Sequence, residues 1–268
     1  MKKFELTSET NINVFGKKLF RIKALISFGC VEAGETGGWV EKEENLSQSG
    51  DAWVYDNAKV YGNAKVYEDA KVRDNAKVYG NAKVCEDALV CGDALVYGDA
   101  LVYGNAWIYD NTKVCGDALV YGDALVYGNA WIYDNTKVCG DAKVYGNAWV
   151  YDNAKVCGDA LVYGDAWVCG DACVRGNAKV CGNAWICGNA WVCGDADYTT
   201  IHGFGTQFRT TTFFRCKDKA VRVSCGCFFG TISEFREQVK KTRSGKIAEE
   251  YLAIADLMEK HFEKEENQ

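Results

Sequence analysis

The stretch DNAKVYGNAKVYEDAKV, residues Asp56 to Val72, holds nearly three copies of one six-residue unit. The unit is [G/D/E]-[D/N]-A-x-[V/I]-[Y/C/R], and it runs without interruption from Gly50 to Cys193, 24 times. A fixed short period predicts a parallel β-solenoid, in which repeats stack on their neighbours to share one core. Within each hexad Ala-x-Val reads as a short strand. Alternate strand residues face opposite sides, so Ala and Val share one side and x takes the other. The Ala position is broken only by Thr112 and Thr136, and the Val position only by Ile108, Ile132 and Ile186. The x position holds ten Lys, seven Trp, six Leu and one Cys. The size-restricted pair is therefore assigned to the interior and the variable x to the outer surface. Corner triplets such as Tyr61-Gly62-Asn63 supply Gly, Asn or Asp, which tolerate the positive φ of a tight corner.

Three hexads close one triangular coil of 18 residues, so the repeats predict eight coils, roughly 38 Å long at a rung spacing of about 4.8 Å. The hexads of Asp56 to Val72 resemble the hexapeptide repeat of left-handed β-helix proteins, a branched aliphatic followed four residues later by a small residue. The resemblance implies a left-handed parallel β-helix and covers a little over half the chain. The flanking segments GGWVEKEENLSQSGDAWVY (Gly37 to Tyr55) and TTTFFRCKDKAVRVSCGCFFGT (Thr210 to Thr231) are similar to segments of uncharacterised phage, prophage and bacterial repeat proteins of the YdcK-like kind. That group carries transferase-like or polymer-forming labels by analogy. The resemblance implies a phage or prophage origin and brings no established activity.

The chain has 268 residues, a pI near 5.2 and no Pro, which suits a backbone whose donors are committed to ladders. The repeats hold 12 basic and 18 acidic groups, so the whole net charge of −6 falls on the solenoid. Acids fall at corners and lysines on faces, a solvated surface rather than the basic stripe of a nucleic-acid groove. Nucleic acid is therefore not an expected partner. The N-terminus lacks an apolar signal region and no stretch reaches 18 apolar residues, which predicts a cytoplasmic protein without a membrane partner. Fourteen cysteines are then expected as free thiols. Cys139/Cys157 and Cys169/Cys187, each 18 residues apart, are the pairs whose register would permit a disulfide.

Residues 1–49 read as a β cap, with strands around Phe4-Glu5-Leu6 and Leu19 to Ile22 and a turn near Gly16. A cap is needed because an open solenoid end exposes unpaired edges. After the repeats, which end the solenoid at residue 196, residues 197–268 read as an α+β unit. It contains a hairpin of Thr210 to Cys216 and Ala220 to Cys225. A helix follows from the capping box Thr231/Glu234, then a second, amphipathic helix after Ser244-Gly245. The tail from Glu263 to Gln268 is polar and expected to fray.

Several chemistries can be weighed. Relatives of this fold that transfer acyl groups use a His general base and an extruded loop. Here His202 and His261 both lie outside the repeats and no loop interrupts them, so no catalytic residue is assigned. Cys225 and Cys227 share a strand face and, with Cys216 and His202, could approach a zinc; Cys-x-Cys is a weak signal, and no metal or cofactor is assigned. The sharpest hint is apolar. Trp131, Trp149, Trp167 and Trp185 are spaced 18 apart and should stack on one face, while Leu89, Trp107 and Leu125 form a column on a second. Such strips mark interfaces. The C-terminal helices could cover the Trp column, subunits could pair along it, or it could bind a glycan. Residues 92–115 recur identically as 116–139, four hexads later, so Trp107 and its copy Trp131 should fall on different faces. Copying of this kind fits a rod more than a preformed site. The sequence thus predicts a non-enzymatic scaffold or interaction protein, a homo-oligomer (trimer or dimer), with terminal units that cap or recruit a protein partner. The alternatives are an acyltransferase-like enzyme and a phage inhibitor that sequesters or mimics a host ligand.

Overall fold

The structure, a computed structural model, describes residues 1–263. The expected tail from residue 264 onward lies outside the described residues. The 24 hexads form 24 two-residue rungs, β4 (Trp53–Val54) to β27 (Trp191–Val192), each built from the x and Val residues of one hexad. Every rung pairs in parallel with the rung three hexads on, as in Leu89↔Trp107 and Trp131↔Trp149. Three parallel sheets result, one per side of the coil. The hexad Ala and Val positions are buried throughout, and they form one continuous core. Thr112 and Thr136 are also buried, and their hydroxyls donate to the Tyr109 and Tyr133 carbonyls at 2.7 and 2.5 Å. The extra polar atom therefore has a partner, without which its burial would be costly.

The solenoid has nine turns along its longest side, one more than the hexads predict. The extra turn comes from β3 (Thr36–Val40), where Trp39 and Val40 pair in parallel with Lys59 and Val60. Hexad spacing does not reveal it, because this partner lies two residues beyond the regular step. β1 (Phe4–Ile12) and β2 (Lys18–Ala24) add to β3 antiparallel, giving an eleven-stranded sheet. This N-terminal segment also folds over Trp53, whose ring meets Phe28 at 5.4 Å and Phe4 at 6.2 Å. Trp53 is wholly buried, so here the x residue is not on the outer surface; Cys173 is the other buried x residue. Lys3 is buried as well, and its Nζ donates to the carbonyls of Gly50 and Ala52 at the start of the repeats.

At the other end a four-stranded antiparallel sheet follows: β28 (Tyr198–Phe204), β29 (Arg209–Arg215), β30 (Val221–Cys225) and β31 (Phe228–Thr231). The expected hairpin is its central pair. The outer strands escaped the sequence reading because Tyr198–Phe204 is a Thr-, His- and Gly-containing run without apolar alternation, and β31 is only four residues long. Strand β29 shows the two-sided logic of a middle layer. Phe214 joins the solenoid core, while its neighbour Phe213 faces the two helices. The helices are α1 (Ile232–Thr242) and α2 (Gly245–Phe262). The Thr231/Glu234 capping box forms, with Glu234 N–H donating to Thr231 Oγ1 at 3.1 Å and Thr231 N–H to the Glu234 carboxylate at 2.7 Å. The sheet is tied to the last coil by the Trp185 N–H donating to Thr212 Oγ1 and the Lys217 N–H donating to the Asn189 carbonyl. Both ends of the solenoid are thus covered.

Candidate functional site: the outer aromatic faces

Because rungs stack at hexad multiples of three, each outer face is a column of x residues. The face that begins at Lys59 continues through Lys77, Leu95 and Lys113, then becomes Trp131, Trp149, Trp167 and Trp185. Trp131, Trp149 and Trp167 stack nearly parallel, at 4.9 and 5.2 Å between centroids. The Lys113 ammonium lies 3.9 Å over the Trp131 ring, a cation–π cap on the stack. The corner tyrosines Tyr133 and Tyr151 meet Trp149 and Trp167 edge-on at 6.1 Å each.

The fourth rung departs from the expected ladder. Trp185 is rotated 61° from Trp167, and its Nε1 donates to Cys169 Sγ at 3.3 Å. The thiol of Cys187 and the hydroxyl of Tyr151 also donate to this sulfur, and together these donors hold the Cys169 thiol well below its ordinary range despite its burial. Cys187, as the donor in that pair, is pushed up. All fourteen cysteines, including Cys139 and Cys157, are free thiols in the structure. The cysteine at position 169 was legible as a corner filler, but its partnership with the next coil's Trp was not.

On a second face Leu89, Trp107 and Leu125 are in register. They line a shallow apolar depression together with Arg73, Cys91 and Tyr109. Trp107 is 49% exposed and Trp167 38%. Trp107 and its copy Trp131 do fall on different sheets, as the four-hexad duplication requires. The C-terminal helices pack on their own sheet through Phe235, Val239, Tyr251 and Ile254, and Trp167 stays open to solvent.

The polar candidates are dispersed. His202 is exposed on β28, with Nδ1 3.2 Å from Thr210 Oγ1. His261 is exposed near the end of α2, against Phe262. Cys225 pairs across the hairpin with Thr211, whose hydroxyl donates to its sulfur at 3.1 Å, whereas Cys216 lies at the opposite end of that hairpin, buried against the solenoid. Among the described residues no three His, Cys, Asp or Glu side chains are placed to hold a metal. No helix among them is long and apolar enough to cross a membrane.

No curated protein matches the chain. The family model described as the YdcK beta solenoid repeat matches residues 94–110, 118–134 and 154–170. The first two segments are the same string in the two copies of the duplication. Over those coils the chain is a β-solenoid repeat protein similar to that family.

Proposed function

We propose that this protein is a non-enzymatic β-solenoid scaffold that associates laterally with further copies of itself. The observation that carries this reading is the pair of partly exposed apolar columns, Trp131 to Trp167 on one face and Leu89, Trp107 and Leu125 on another, most open at Trp167 and Trp107. Exposed apolar strips of this kind favour association. The segments folded over the two ends support a lateral geometry, because they stand in the way of direct rung-on-rung stacking between copies. The resemblance to left-handed β-helix proteins adds a dimer or trimer as the expected assembly and a phage or prophage setting. The terminal units are left to cap the rod or to hold a second protein.

The test is the mass of the particle in solution. Light scattering at micromolar concentration should report an oligomer. Trp107→Lys with Leu125→Lys, or Trp149→Lys with Trp167→Lys, should return the face concerned to a monomer without changing the β-sheet circular dichroism signal. A strict monomer for the unaltered chain removes the self-association reading.

A further inference from the structure

We infer that a cleft in the C-terminal unit, separate from the aromatic faces, binds a small organic carboxylate carried on an apolar body. The cleft has a volume of about 150 Å³ and lies where the β28–β29 turn, the β30–β31 turn and the two helices meet. Its apolar wall is Phe228, Phe235 and Val239, and its cationic groups are Arg209 and Arg243. No Asp or Glu lines it. The unit's other arginines are each matched to acids: Arg215 to Asp197, Arg222 to Asp218, and Arg236 to Asp256 and Glu259. Among the described residues, Arg209 and Arg243 have no such partner. Two unmatched guanidinium groups beside an apolar wall suit a carboxylate, which a guanidinium engages through paired charge-assisted hydrogen bonds.

The turns are shaped to admit these side chains. Gly226 sits at φ +61°, a conformation that favours glycine, and a Cβ there would come 2.4 Å from Arg209 Nη1 and displace the guanidinium from its place across this turn. A Cβ on Gly205, at φ +70°, would fall 2.4 Å from the Tyr251 hydroxyl. That hydroxyl already donates to the Phe204 carbonyl at 3.2 Å, which fixes the ring and leaves anion recognition to the arginines. Arg209, Arg243 and Tyr251 all line this one cleft. The ring of Phe235 meets Tyr251 edge-on at 5.8 Å and closes the floor.

Benzoate is a suitable probe, with benzamide as its uncharged counterpart and inorganic phosphate as an oxyanion without an apolar body. Titration into the ¹⁵N-labelled full chain should move the Gly205 and Gly226 amide resonances saturably, with a dissociation constant on the order of millimolar. Benzamide should bind at least about tenfold more weakly, the size of one lost charge-assisted contact. Arg209→Gln with Arg243→Gln should weaken benzoate by a similar factor while leaving the solenoid resonances in place. Equal binding of benzamide overturns the proposal on the unaltered protein, whether or not the double variant folds. Unchanged benzoate affinity in a folded double variant overturns it too. Phosphate binding as tight as benzoate overturns the apolar-body assignment, and an absence of shifts up to about 50 mM benzoate overturns the site.

Discussion

The first residue of each hexad carries the sharpest local constraint. All 24 adopt positive φ, seventeen as Gly and seven as Asp or Glu. A positive φ strains an L-residue with a side chain, so the acids need compensation. The compensation is visible: Asp74, Glu86, Asp110 and Asp152 each accept the N–H of the equivalent residue one coil on, at 2.7 to 3.1 Å. A plain methyl group has no such return. A Cβ on Gly98 would meet Gly116 N at 2.9 Å, at φ +73°. Gly98→Ala should therefore cost about 1–2 kcal/mol, and Gly98→Asp should cost less although its side chain is larger. Thermal melts of the two variants decide this, and an equal or greater loss for Asp refutes the compensation. The second hexad residue adds side-chain ladders between coils, such as Asn63 to Asn81 to Asp99. Both positions were legible as corner residues, but which acid supports which coil depends on the 18-residue stacking.

At the scale of elements, the N-terminal cap works through Lys3. Burial pushes its ammonium down to about 8 from an ordinary value of 10.5, although Asp51 and Asp69 pull the other way. A base whose folded pKa is lowered binds fewer protons in the folded chain, so its penalty is present below pH 8 and is relieved as pH rises towards 10.5. The stability of the native chain relative to Lys3→Met should therefore improve between about pH 8 and 10, measured as paired urea titrations so that losses common to both proteins cancel. A difference that does not change with pH removes the buried-ammonium account. The cap and the C-terminal unit were only partly readable. The central hairpin and both helices showed their periodicity, whereas β28, β31 and the leading turn through Trp39 did not, because their patterns are polar, short or off the hexad step.

For the whole molecule, the corner columns set the response to alkali. Burial raises Tyr61 to about 12 and Cys157 and Cys216 to about 11, and a hydrogen bond to Cys139 leads in raising Tyr121 to about 12. In the unfolded chain thiols and phenols ionise near 9 and 10, so the unfolded state loses protons first and stability falls as pH rises through that range. Fourteen tyrosines and seven cysteines are raised in the fold against a single Lys3, so the losses dominate. Guanidinium midpoints should hold steady to about pH 9 and drop steeply from there to about pH 12; a midpoint unchanged at pH 11 contradicts the stacked-corner picture.

The amino-acid sequence by itself determined the solenoid, its 18-residue coil, its Ala/Val interior and the assignment of Trp107 and Trp131 to different faces. These follow from a strict period acting through strand alternation, and they need no long-range information. Tertiary structure alone decided the rest. It showed that Trp53 is buried under the N-terminal segment and that Trp185 turns out of the ladder to reach Cys169. It also showed that the C-terminal sheet closes the end while Trp167 stays open, and that Arg209 and Arg243 line one cleft with Tyr251. Each of these depends on residues that no fixed spacing relates, brought together by the packing of irregular segments against the regular rod.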